Sequence, residues 1–336
     1  MAILAVYSQA TDLRLALFYQ DLLISTQFSF HDPNCSRLAA SILEWAAVNS
    51  QAGHHPALIV TAGSVFHAAP AGFYLLDDLF FKNLHLHKEA DQAALIAARV
   101  LANRLEIPAY AIDPFIEGVL PQALVSGTPH LQRDLKGDYF VFKYLAKMES
   151  DRKKIDLQTS RFIIAVLNQE LQIGAVVGGK VLDLCNSRDE GPFSWQQSGG
   201  LPFGPLLELS SSLGCRKKTQ RLLSEQSGIR GYLGIKDPGQ LFNSADSQTE
   251  LIREAFAYQI SKEIGAYGAA LKGDLNGIVL AGELTQEQSL VTMLRKRIGF
   301  LGQLSVYPGN QAFPALLSAG KRIQAGAERI RSWEGA

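Results

Sequence analysis

Cysteine is scarce in this chain: Cys35, Cys185 and Cys215 are the only three in 336 residues, and no two of them form a CxxC pair. That argues against a disulfide framework and a cysteine-based zinc site, and it fits a reducing cytoplasm. An excess of one charge is missing as well. Lys and Arg together count 32, as do Asp and Glu, so no overall field draws the chain to nucleic acid or to an acidic membrane surface. No apolar run reaches the roughly 18 residues of a membrane span, and the apolar start MAILAV lacks the basic flank of an export signal. The expectation is a cytoplasmic protein with a small molecule or another protein as partner, and with neither nucleic acid nor membrane. Histidine is absent after His130. His85 and His87, with His54 or His55, have no carboxylate or cysteine at ligand spacing, so they read as loop residues and no metal site is expected. There is also no GxGxxG after a strand, no GxxxxGK[ST] and no GxSxG.

What is present is an apolar content of 47%, a length sufficient for two domains, and an internal repeat. Residues 2 to 30, AILAVYSQATDLRLALFYQDLLISTQFSF, read as three apolar strands joined by polar turns. Residues 161 to 186, RFIIAVLNQELQIGAVVGGKVLDLCN, read the same way and begin about 160 residues later. A duplicated domain explains both. After each triplet the pattern alternates between helix and strand. PALIVTAG (56–63) reads as a strand, 88–106 as a helix with Ala94, Ala98, Leu101 and Leu105 on one face, and IPAYAIDP (107–114) as a strand stopped by proline.

In the second half, Ile252, Phe256, Ile260, Ile264, Tyr267 and Leu271 form a helical stripe closed by Gly273, and LNGIVLAG (275–282) is the next strand. Thr285 and Gln288 carry a capping-box signature for a further helix. The basic runs Arg216-Lys217-Lys218 and Arg295-Lys296-Arg297 read as solvated helix faces. Each half is therefore expected to be a mixed sheet with flanking helices, the halves being 1–150 and 151–336, with a ligand cleft between them.

The runs NSRDEGPFSWQQSGGLPFGPLLELSSS (186–212), GIRGYLGIKDP (228–238), EAFAYQISKEIGAYGAALKGDLNGIVLAGEL (254–284) and VYPGNQAFPALLSAGKRI (306–323) resemble the butyrate kinase branch of the acetate and butyrate kinases. The resemblance covers nearly the whole chain and is strongest from about 161 to 323. It implies an α/β fold of duplicated actin-like ATPase (ribonuclease H-like) domains. The activity it implies is phosphate transfer from ATP, with magnesium, to a short-chain carboxylate. As site residues it implies Asp113, Arg14, the loop Glu190-Gly191-Pro192-Phe193 and Gly282. Asp113 also reads as an Asp-Pro turn residue, and Arg14 also reads as a surface group.

The same resemblance exposes substitutions. The family's first turn is similar to NPGSTSTK, and here that frame holds Tyr7-Ser8-Gln9-Ala10-Thr11-Asp12-Leu13-Arg14. A carboxylate from Asp12 about 4 Å from a phosphate would cost on the order of 4 kcal/mol at an effective dielectric near 20. The second turn, similar to HLGGGIS, becomes Val166-Leu167-Asn168-Gln169-Glu170-Leu171-Gln172, which puts bulk and a second carboxylate where backbone should approach an anion. One family arginine falls on Ala62 within Thr61-Ala62-Gly63-Ser64, another falls on Gln197, and an acidic position falls near Ala312. Glu283 stands where a second glycine is usual. Cations that clamp a phosphoryl group in flight supply much of the rate in such chemistry.

The expectation is a butyrate kinase-like protein with impaired or lost phosphotransfer and a binding or regulatory role, as a homodimer or the partner of an active kinase. The alternative is a working short-chain carboxylate kinase that binds nucleotide and carboxylate. A third reading is a cleft that takes an uncharged or cationic ligand.

Overall fold

The computed structural model describes residues 2–9, 12–19, 22–29, 36–51, 53–63, 69–84, 92–235 and 238–334. Cys35, the turn residues Ala10, Thr11, Gln20 and Asp21, Ser64, His85, His87 and the start of the expected 88–106 helix lie outside these residues. By compactness the chain divides into unit 1 (Met1–Gly118, Asp138–Tyr144, Ala312–Ala336) and unit 2 (Val119–Gly137, Leu145–Gln311). These units do not follow the single cut expected between 150 and 151, because residues 138–144 and the C-terminal segment both pack with the first strands.

Unit 1 begins with β1 (Ala2–Gln9), β2 (Asp12–Tyr19) and β3 (Leu22–Ser29), followed by helix α1 (Ser36–Gln51). It continues with β4 (Pro56–Thr61), β5 (Phe73–Leu75), α2 (Asp78–Leu84), α3 (Ala93–Leu105) and β6 (Ala109–Ile112). Helix α4 (Tyr139–Lys153) starts in unit 1 and ends in unit 2. Unit 2 carries β7 (Arg161–Leu167), β8 (Leu171–Val177) and β9 (Lys180–Asn186). Helices α5 (Phe203–Leu213), α6 (Arg216–Glu225), α7 (Gly228–Leu233), α8 (Pro238–Asn243) and α9 (Ser247–Ala270) follow. Then come β10 (Gly277–Gly282), α10 (Gln288–Ile298) and β11 (Leu304–Pro308). Helix α11 (Ala312–Gln324) and β12 (Ile330–Arg331) return to unit 1.

The repeat is present in the hydrogen-bond ladders. The second sheet runs β11-β10-β7-β8-β9, and the first runs β12-β5-β6-β4-β1-β2-β3. In each, an antiparallel three-strand meander is extended from its first strand by parallel strands, β4 and β6 in one sheet and β10 and β11 in the other. The turn between β8 and β9 is Gly178-Gly179, both at positive φ (60° and 73°), as a tight hairpin needs.

Both β1 and β10 are buried along their full length, which is why they read as unbroken apolar runs rather than alternating ones. In unit 1, Leu4 and Val6 share a core with Ala94, Ala98 and Leu101 of α3 and Ile42 of α1. Small residues keep the helices close. On α11, a Cβ at Gly320 would lie 2.9 Å from Ile3 Cγ2. In unit 2 the whole stripe from Ile252 to Leu271 is buried. Helix α9 starts at Ser247, with the Asp246 carboxylate accepting from Thr249 N at 2.9 Å.

The expected capping box is absent. Thr285 sits in a 3-10 turn, and its hydroxyl donates to Gly282 O at 2.7 Å, because a fully buried hydroxyl takes the nearest carbonyl; the helix then begins at Gln288 without a side-chain cap.

Candidate functional site

In each unit, polar residues gather where the central strands end. In unit 1, β6 delivers Asp113, whose backbone is left-handed (φ 45°) with its N–H donating to Gly72 O. A buried non-glycine residue held in that conformation marks a position that its surroundings over-determine. Its carboxylate, 7% exposed, accepts from Lys143 Nζ of α4 at 2.5 Å. Earlier on the same helix segment, Asp138 accepts from the Tyr7 hydroxyl at the end of β1 at 2.9 Å, and Tyr7 stacks edge-on against Phe140. Arg14 lies on β2 opposite Tyr7 and Gln27. Ala62 is buried after β4, and Ala312 is buried at the start of α11. The Asp12 carboxylate accepts from Gln27 Nε2 and Ser29 Oγ, both at 2.7 Å, so its charge is spent on the neighbouring strand. This differs from the expectation that it projects toward an anion.

In unit 2 the β7–β8 turn is Asn168-Gln169-Glu170. Asn168 is buried, and its Oδ1 accepts from Glu283 N at 2.9 Å. Gly282 permits this approach: with φ at 108°, a Cβ there would lie 2.5 Å from Leu167 O and 2.8 Å from Asn168 Oδ1. Val166 is buried within β7. Glu170 accepts from Arg188 Nη2 at 2.8 Å and from Gln197 Nε2 at 3.5 Å. Gln197 is oriented from its other end, where Oε1 accepts from Ser187 Oγ at 2.5 Å and Ser194 Oγ at 3.2 Å. Ser187 Oγ in turn accepts from Leu171 N at 2.9 Å. Thus several donors at the hairpin end serve the protein's own side chains.

The loop Glu190-Gly191-Pro192-Phe193 faces inward. Arg133 gives Nε and Nη2 to Glu190 at 2.8 Å, Nη1 to Asp183 at 2.8 Å, and further bonds to the carbonyls of Ala123 and Leu184. Hydrogen bonding to Glu190, against the opposing cost of burial, pushes the Arg133 pKa above its already high value. Gly191 (φ 71°) leaves no room for a Cβ, which would lie 2.8 Å from Cys185 Sγ. Phe193 N donates to Gln259 Oε1 of α9 at 3.2 Å. Beneath the loop, burial raises the pKa of the Cys185 thiol, the Glu263 carboxyl and the Tyr267 hydroxyl. Among the described residues, no group of three or more His, Cys, Asp or Glu could hold a metal ion. His54 stacks edge-on against Tyr19.

Three cations escaped the sequence reading: Lys143, Arg188 and Arg133. Lys143 had a signal, being the one charge in the run YFVFKYLA, whose other members are mostly buried. Arg188 and Arg133 had none, since each is an ordinary basic residue in a polar loop.

No family profile matches the chain. It is 25% identical over 345 residues to a probable butyrate kinase 2 of Caldanaerobacter subterraneus subsp. tengcongensis, covering 97% of this chain and 98% of that protein. It is 28% identical to a probable butyrate kinase of Thermotoga petrophila, covering 82% and 79%. Among solved structures, it superposes on Porphyromonas gingivalis acetate kinase with a TM-score of 0.75 at 14% identity, covering 96% of this chain and 99% of that one. For a propionate kinase of Francisella tularensis the TM-score is 0.73 at 16% identity, covering 94% and 98%. The chain therefore has the duplicated actin-like ATPase fold of the short-chain carboxylate kinases. Within that fold its sequence is similar, at 25 to 28% identity, to proteins named as probable butyrate kinases.

Proposed function

We propose that this chain binds nucleotide and a small carboxylate on a butyrate kinase scaffold but transfers phosphate weakly or not at all, acting as a binding or regulatory protein. The observation that carries the reading is the hairpin end of unit 2. Where the resemblance calls for glycines and an arginine, Asn168, Glu170 and Gln197 are bonded to Glu283, Arg188, Ser187 and Ser194. A phosphate would have to displace these partners, and with Ala62 and Gln197 in place of the two arginines that the resemblance calls for, the transition state loses its main stabilisation. The described residues do not form a protein-held magnesium site: the Asp113 carboxylate is engaged by Lys143, and Ala312 is buried. In this reading the ATP-side contacts belong to the Glu190–Phe193 loop and Gly282, with Arg14 and Asp113 on the carboxylate side.

A reducing cytoplasm is the proposed compartment, in keeping with the free thiols of Cys185 and Cys215. Among the described residues no helix is long and apolar enough to cross a membrane. A second copy of the chain or an active kinase is the proposed protein partner; exposed Phe203 and Leu207 on α5 support such a contact.

A working kinase is the second reading. Arg188, which shares the Glu170 oxygen with Gln197, favours it by supplying a cation near one position where the family's arginine is missing, and Lys143 supplies a second cation beside Asp113. Calorimetric titration with MgATP and with butyrate, run beside a hydroxamate assay for butyryl phosphate, separates the two. Binding without turnover is the expected result. Turnover would establish the second reading, and a folded protein that binds neither ligand would overturn both.

A further inference from the structure

The end of the β7–β8 hairpin has the construction of an oxyanion site. Gln197 is 4% exposed, and the hydroxyls of Ser187 and Ser194 bond its Oε1, which leaves Nε2 aimed at one point. Arg188 is fixed at its backbone, where its N–H and that of Asp189 both donate to Oδ1 of Asn186, itself 1% exposed. The guanidinium and the amide converge on a single oxygen, Oε2 of Glu170. A half-exposed arginine and a buried, pre-aimed amide are the donors that recognise a phosphate or carboxylate oxygen. Here the oxygen comes from the chain itself.

We propose that Glu170 is an internal anion that fills a latent phosphate-binding site made by Arg188 and Gln197, and that its carboxylate is what excludes a free phosphate group from the hairpin. The ligand class is an oxyanion of the phosphate type. The Glu170 side chain is 11% exposed and that of Arg188 43%, so the plug is inside and its cation partner is reachable from solvent. The inference deepens the reading of an impaired kinase and rests on it only for the consequence, since the site itself stands on its donors.

The test measures the affinity of the full chain for inorganic phosphate by titration calorimetry, for the native protein, Glu170→Gln, and Glu170→Gln with Arg188→Gln. Removing a like charge at contact distance is expected to tighten phosphate binding by about tenfold or more in Glu170→Gln. The double variant should return to the native affinity. Equal affinity of the native chain and Glu170→Gln would overturn the proposal, as would a gain that survives loss of Arg188. Should Glu170→Gln fail to fold, Glu170→Ala takes its place with the same expected gain. Butyryl phosphate formation by the native chain would defeat the impaired-kinase reading without altering this affinity ratio, so the two failures are distinguishable.

Discussion

The two units share a five-strand order, which unit 1 extends by β5 and β12, but terminate it with different chemistry. In unit 1, a nearly buried carboxylate, Asp113, is held by a lysine from a helix and sits on a left-handed backbone. In unit 2, a nearly buried carboxylate, Glu170, is held by an arginine from a loop and by a glutamine that two serines orient. The apolar interiors of the strands set the fold, so they tolerate little change. The strand ends contribute little to that interior, and polar groups there can be exchanged so long as each buried donor finds an acceptor.

The largest expected effect of breaking this comparison is at Gly282. Glycine→Ala at this position would drive a Cβ into Leu167 O and Asn168 Oδ1 on a backbone at φ 108°, at a cost of about 3 kcal/mol. A urea midpoint equal to that of the native chain would show that the hairpin can move away. Next, Lys143→Met leaves Asp113 buried without its cation. A loss of about 2 kcal/mol is expected, discounted because the lysine is partly solvated, and most of it should return in the double variant with Asp113→Asn.

Two carboxyls of unit 2 sharpen the contrast through pH. Burial opposes ionisation of Glu149, but hydrogen bonds from Arg152, Ser305 and Tyr307 outweigh it and hold its pKa below the ordinary 4.5. Its contribution is therefore present above pH 4.5 and lost as pH falls through the lowered folded value. Glu263 has the opposite sign. Burial raises it, so its contribution is full below the ordinary value of 4.5 and is lost as pH rises through the folded value. Melting temperatures across pH should show Glu149→Gln flattening the acid limb and Glu263→Gln flattening the upper limb, each by about 1 kcal/mol. The smallest effect is expected for the stability of Glu170→Gln, within about 0.5 kcal/mol, because its partner is a half-exposed arginine.

Much of the scaffold could be read from the sequence, because period and turn chemistry are local. The two strand triplets, the Gly178-Gly179 turn and the stripe from Ile252 to Leu271 all announce themselves. The site was less legible, because partner choice is tertiary. Asp12 looked like an intruding charge until strand register set it opposite Ser29, with Gln27 on the same strand. Asp113 reads equally as an Asp-Pro turn residue in the sequence, because its partner Lys143 lies 30 residues further on, in a helix. Thr285 fitted a capping pattern but found a carbonyl first. The division into units was hidden for the same reason: nothing in the composition of α11 says which sheet it covers.

That helix sets an order of events on the ribosome. Strands β1 and β4 emerge well before β7 to β11, yet the helix that presses Gly320 against Ile3 and Val60 emerges after all of these. Residues 119–137 and 145–311 are complete before α11 exists. Of these two sheets, the one made earlier must therefore wait, one apolar face open, while the later one can already close, and the growing chain is exposed to aggregation and to chaperones through β1 and β4.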